Sequence, residues 1–242
     1  MLSPVDLGPT RQSPVPHAGQ ALGVGPNRLS CVSLPNPNER IVWIDCEMTG
    51  LDLRADALVE VAAIVTDSDL NVLGTGVDVL VKPPAEALLQ MNDFVRAMHT
   101  NSGLLDALDE GLTLQEAQDQ ILAYVREWVP EPRKAPLAGN SVGTDKTFLD
   151  LHMPQLVEHL HYRIIDVSSI KELARRWYPR VYFASPKKGG GHRALADILE
   201  SIDELRYYRE VLFPAQPGPD TATARAAAEQ VTETSVTKQL AP

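Results

Sequence analysis

The chain has two cysteines in 242 residues, Cys31 and Cys46, and no excess of basic side chains. It also lacks any run of about 18 or more apolar residues, so no membrane-spanning helix and no membrane partner are expected. Two cysteines, one in a Pro- and Gly-rich stretch and the other inside a candidate strand, make a poor disulfide framework and fit a reducing compartment. A secretory pattern is missing too: Pro4, Pro9, Pro14 and Pro16 interrupt the start, and no continuous apolar stretch follows a basic one. The expectation is a cytoplasmic protein. A formal net charge of −10 argues against a protein that coats long nucleic acid, because such binding rests on many Lys and Arg contacts to phosphate.

What is present is unevenly spread. Residues 1–38 are rich in Pro, Gly and Ser without sustained periodicity and read as a disordered extension or a misassigned start. Residues 214–242, with Pro214, Pro217, Gly218 and Pro219, read as a disordered tail. One domain remains, residues 39–213. Within it, residues 40–47, 57–66 and 72–81 read as three successive strands, an antiparallel meander. Helical spacing follows over 86–98, 102–108 and 113–128, the last opened by a Thr113/Glu116 capping box. A strand at 136–139, a helix at 144–151, a strand at 163–167 and helices at 169–177 and 192–212 complete the pattern. The fold class is α/β, a mixed sheet flanked by helices on both faces. Between His161 and Arg193 lie eight basic residues against two acidic ones. This local basic segment could serve a small anionic ligand or form ordinary solvated helix faces.

The run Trp43-Ile44-Asp45-Cys46-Glu47-Met48-Thr49-Gly50 ends an apolar strand in two carboxylates two positions apart. Alternate strand residues share a face, so Asp45 and Glu47 project together and repel unless a cation sits between them. Carboxylate oxygens are the ligands that Mg²⁺ and Mn²⁺ prefer. Taken alone, the pair also fits a strand ending in a solvated acidic turn. Asp145 opens a helix after the polar turn Gly139-Asn140-Ser141, where it could equally answer the helix dipole. His192 follows the triple glycine 189–191 and precedes Asp197 by five positions. On one helix the two would point about 140° apart, but a His192 on the glycine loop could swing over a site reached by Asp197.

These five residues, in this order, resemble the DEDDh 3′-to-5′ exonucleases of the ribonuclease H-like superfamily, and within them the oligoribonuclease family. The resemblance covers about residues 40–213. It is carried by Trp43 to Asp52, Gly139-Asn140-Ser141, His161-Tyr162-Arg163, Asp166-Val167-Ser168, Lys171 to Trp177, and His192 with Asp197. It implies a ribonuclease H-like fold and hydrolysis of short single-stranded RNA, chiefly dinucleotides, to 5′-mononucleotides by two Mg²⁺ or Mn²⁺ ions. Asp45, Glu47, Asp145 and Asp197 would then be metal ligands and His192 the proton acceptor, a task suited to an imidazole. Leu51 looks like a wedge between two bases and His99 like a residue that stacks on the terminal base, with Phe94 where an aromatic is usual. Without the resemblance, Leu51 and Phe94 read as core residues. Ser141, Arg163 and Ser168 resemble a clamp on the 5′ phosphate, although Arg163 also fits a surface ion pair. His161 and Tyr162 would come from the partner of a homodimer. Two alternatives remain open: an exonuclease that trims longer strands, and a nucleic-acid-binding module that keeps the fold without catalysis.

Overall fold

A computed structural model describes residues 39–187, 189 and 191–239. The extension expected over residues 1–38, with Cys31, lies outside them. The three-strand meander is present as β1 (Ile41–Met48), β2 (Leu58–Thr66) and β3 (Val72–Leu80), each antiparallel to the next. Two parallel strands, β4 (Pro136–Gly139) and β5 (His161–Asp166), extend the sheet on the other side of β1, giving the order β3-β2-β1-β4-β5.

The period-two pattern of β1 sorts its side chains onto two cores. Val42, Ile44 and Cys46 pack with α4 (Leu114–Trp128), α5 (Gly143–His152) and α6 (Pro154–His159), whose buried residues include Ile121, Val125, Phe148 and Leu156. Trp43 faces the other way and packs with α7 (Val167–Trp177) and α9 (Ala194–Leu212) through Val167, Ala174, Ile198 and Ile202. Burial of each such aliphatic side chain contributes about 1.5–3 kcal/mol, so the sheet is gripped from both faces. Asp45 and Glu47 share the α9 face with Trp43, as strand alternation requires.

The helix expected over 86–98 is two helices, α1 (Ala85–Gln90) and α2 (Asp93–Asn101). Met91 is extended between them, and Asn92 caps α2 by accepting a hydrogen bond from the Val95 amide at 3.0 Å. The capping box of α4 is present in full. Next to α2 lie α3 (Leu104–Ala107) and a 3₁₀ turn over Leu108–Glu110. Two short helices have no counterpart in the sequence reading, α6 and α8 (Pro179–Phe183), each begun by a proline. The stretch expected to be an irregular tail instead carries α10 (Thr221–Glu233) and α11 (Val236–Gln239). Asp220 caps α10 by accepting from the Thr223 amide at 2.8 Å, and none of its residues is buried. An alanine-rich, capped segment can form such a helix by propensity, without the apolar face that periodicity detects.

Candidate active site

Three elements, β1, α5 and α9, carry the acidic side chains. Glu47, at the end of β1, is buried. Asp145, in the first turn of α5, accepts a hydrogen bond from the Cys46 amide at 3.0 Å, which fastens it to β1 between Asp45 and Glu47. Asp197 stands in the first turn of α9. His192 is off that helix, in the left-handed region at φ 47°, so the divergence of a shared helix does not apply. Glu47, His192 and Asp197 each offer a ligand atom, and these lie within 4.8 Å of one another.

The electrostatics of the cluster are those of too much negative charge in too little water. Glu47 is pushed up to about 7 by burial first, then by Asp197, Glu60 and Asp145, with Arg193 opposing. Burial also pushes Asp145 up to about 6, against the hydrogen bonds from its own backbone and Cys46. Such an arrangement of hard oxygen donors favours a divalent cation, which would let both carboxylates ionise.

Leu51 and Phe94 are not core residues: they are 73% and 78% exposed. Leu51 lies within a turn in which Asp56 accepts from the Thr49 hydroxyl at 2.8 Å and the Asp52 amide at 2.9 Å. A Cβ at Gly50 would overlap that Asp56 carboxylate, so a larger residue there would have to displace it from these hydrogen bonds. Phe94, Met98, Asn101 and His192 are among the residues lining a cavity of about 470 Å³. His99 has a different place from the one the resemblance suggests. It is 0% exposed, its Nε2–H donates to the Met48 carbonyl at 2.8 Å, and its Nδ1 lies 3.9 Å from Glu47 Oε2 without a hydrogen-bond partner. Its ring offers no open face to a base.

A second cavity, of about 820 Å³, is lined by Asn140, Ser141, Asp166, Ser168, Lys171 and Arg176 among others. Ser141, at φ 53°, donates its amide to Asp166 Oδ1 at 2.9 Å and to Ser168 Oγ at 2.6 Å. Its hydroxyl lies 2.9 Å from that of Ser168. Ser141 and His192 are thus two non-glycine residues held at positive φ, a strain that gathers at functional sites. Arg163 does not line this cavity. It stands exposed on β5 with its guanidinium 5.5 Å from the Tyr162 ring centroid, and it makes no ion pair among the described residues.

Residues 42–205 match the RNase_T exonuclease family. The oligoribonuclease of Streptomyces avermitilis is 68% identical over 188 residues, 78% of this chain and 94% of that relative. That of Leifsonia xyli is 59% identical over 196 residues, 81% and 95% of the two chains. The chain belongs to the oligoribonuclease family. Among solved structures, exonuclease I of Methylocaldum szegediense matches with a TM-score of 0.51 at 22% identity, covering 72% of this chain and 41% of that one. The zinc-bound complex of E. coli exonuclease I with single-stranded DNA matches at 0.56 and 16%, covering 72% and 41%. The chain spans about two fifths of those structures, and the likeness is one of fold.

Two residues that this oligoribonuclease-family chain places at the site escaped the sequence reading, Glu60 and Arg193. Glu60 is the one charge in the strand LVEVAAIVT. The raised carboxylates carry a pH prediction. Glu47 and Asp145 bind protons more tightly folded than unfolded, so the cation-free protein loses stability as pH rises from about 4 to about 7. Unfolding midpoints in chelator should fall by roughly a few degrees between pH 5 and pH 8. Saturating Mg²⁺ or Mn²⁺ should raise the midpoint more at pH 8 than at pH 5. An increment independent of pH would show that these carboxylates do not meet the ion.

Proposed function

We propose that the chain is a homodimeric, cytoplasmic 3′-to-5′ exoribonuclease. It would hydrolyse short single-stranded oligoribonucleotides, chiefly dinucleotides, to 5′-mononucleotides with two Mg²⁺ or Mn²⁺ ions per active site. The gathering of Glu47, His192 and Asp197 carries this reading. Asp45, Glu47, Asp145 and Asp197 would hold the ions. When bound, the ions supply an acidified water and a stabilised leaving 3′ oxygen. His192 accepts the proton of the attacking water at a ring nitrogen as the new P–O bond forms and the bond to the 3′ oxygen breaks. Leu51 parts the two bases, and Phe94 offers its exposed ring to the terminal one, contacts that tolerate any base. Ser141 and Ser168 hold the 5′ phosphate.

The phosphate pocket supports the dimer. Its own cations already face carboxylates: Lys171 lies 3.0 Å from Glu204, and Arg176 shares Glu172 with Arg175. Asp166 adds a carboxylate to the wall. A phosphate there needs another cation, and the exposed Tyr162 and Arg163 of a second copy would supply one together with a stacking ring. The edge strand β5 and α7 leave Tyr162, Ile164, Leu173 and Trp177 exposed, an apolar surface suited to such a partner. Ile164→Arg is therefore expected to convert the dimer to a monomer by sedimentation equilibrium and to lower dinucleotide hydrolysis by about tenfold or more, with the fold kept. A monomeric wild type with full activity would defeat the dimer.

The decisive experiment incubates the protein with labelled ribonucleotides of two to about ten residues, with Mg²⁺, Mn²⁺ or chelator. Dinucleotides should be cleaved fastest and only with metal. Equal rates at every length would overturn the dinucleotide preference, and cleavage in chelator the role of the ions.

A further inference from the structure

Glu60 lies on β2 directly opposite Glu47 in the β1–β2 register, and it is fully buried. Carboxylates placed opposite one another across two strands repel, and a charge without water must be paired. Glu60 is paired twice. Its Oε1 accepts from Arg193 Nε at 2.8 Å and lies 2.7 Å from Arg193 Nη2, while its Oε2 accepts from the Ala194 amide at 3.0 Å.

We infer that Glu60 is a positioning residue that sets His192 and Asp197 against Glu47, an inference resting on the roles given to those residues above. Ala194 opens α9, whose N-cap, Arg193, gives no side-chain cap. The first amides of a helix need an acceptor from elsewhere, and a carboxylate is favoured at that end. Glu60 supplies one from a strand 134 residues away in sequence. It thereby fixes the side chain of Arg193 and the backbone of Ala194 at once. His192 immediately precedes this clamp, and its ring has no hydrogen bond among the described residues. Asp197 follows by one turn, its amide donating to the Arg193 carbonyl at 3.0 Å. Asp78, 3.9 Å from Arg193 Nη2, steadies the guanidinium from β3. One buried carboxylate thus connects β2, the strand paired with the one that carries Glu47, to the loop and helix that carry its two neighbours.

The test is the double variant Glu60→Leu with Arg193→Leu, because removing both partners leaves neither the buried carboxylate nor the part-exposed guanidinium without its counterpart. Circular dichroism and the unfolding midpoint should show an intact fold. Misplacement of a reacting group by about 1 Å can cost about 10²-fold, so kcat on a 5′-phosphorylated dinucleotide should fall by about 30-fold or more with KM changed by less than about threefold. The Mn²⁺ midpoint, read by thermal shift without substrate, should weaken by about tenfold. Glu60→Gln, which keeps one acceptor, should restore part of both losses. It also serves alone if the double variant does not fold. A folded variant of either kind with wild-type kcat and Mn²⁺ midpoint overturns the inference. His192→Ala separates the two claims. If it retains wild-type kcat, the role given to His192 fails, and the Mn²⁺ midpoint, which reports Asp197, decides on Glu60 by itself.

Discussion

Glu47→Gln is expected to abolish most hydrolysis while making the cation-free protein more stable at pH 8. Loss of a ligand that holds a catalytic ion removes several kcal/mol of transition-state stabilisation, about 10³–10⁴-fold in rate. The gain in stability comes from the same charge. Burial, Asp197, Glu60 and Asp145 together push Glu47 up to about 7, so at pH 8 the side chain is ionised where the fold disfavours it. Glutamine has the same shape and no charge. Its amide can also donate toward His99 Nδ1, which lies 3.9 Å from the carboxylate and has no hydrogen-bond partner. The unfolding midpoint in chelator should rise by roughly a few degrees at pH 8. At pH 5, where Glu47 is already protonated, the gain should shrink toward that of the His99 contact alone. A lower midpoint at pH 8, or activity within tenfold of wild type, would show that Glu47 is not held as a strained ligand.

The parts of this site that were legible in sequence are those written at short range. Asp45 and Glu47 fall on one face because strand alternation has period two; the glycines before His192 allow it a place off the helix that carries Asp197, although the spacing predicts that helix from 192 and it starts at Ala194. What was not legible depends on contacts between distant segments. A single glutamate in an apolar strand has no motif, and only the approach of β2 to the start of α9 makes Glu60 a partner of Arg193. Likewise nothing local tells that His99 turns inward to the Met48 carbonyl, or that Leu51 and Phe94 stay bare. Local composition misled at the C-terminal stretch, where proline and glycine implied irregular chain but Asp220 starts a helix. The break between α1 and α2 was visible in principle, since Asn92 is a favoured N-cap residue, yet the apolar spacing ran across it.

Arg163→Ala should act on substrate capture rather than on the chemical step. The pocket around Ser141 and Ser168 holds Asp166, and its lysine and arginine are paired with Glu204 and Glu172. A phosphate entering it therefore meets hydroxyls and an anion before it meets a free cation. Arg163 is exposed and without an ion pair among the described residues, and in the proposed dimer the Arg163 of a second copy would be the charge that answers it. Removing one partner of a buried, hydrogen-bonded charge pair costs about 2–5 kcal/mol, so KM for a 5′-phosphorylated dinucleotide should rise by about 30-fold or more with kcat little changed. The same dinucleotide without its 5′ phosphate should be hydrolysed equally by wild type and variant. That comparison isolates the contact, because a general loss of structure would slow both substrates. Equal losses on the two, or no loss on either, would remove Arg163 from the phosphate clamp and leave chain length to be measured by Leu51 and the cavity beside Phe94.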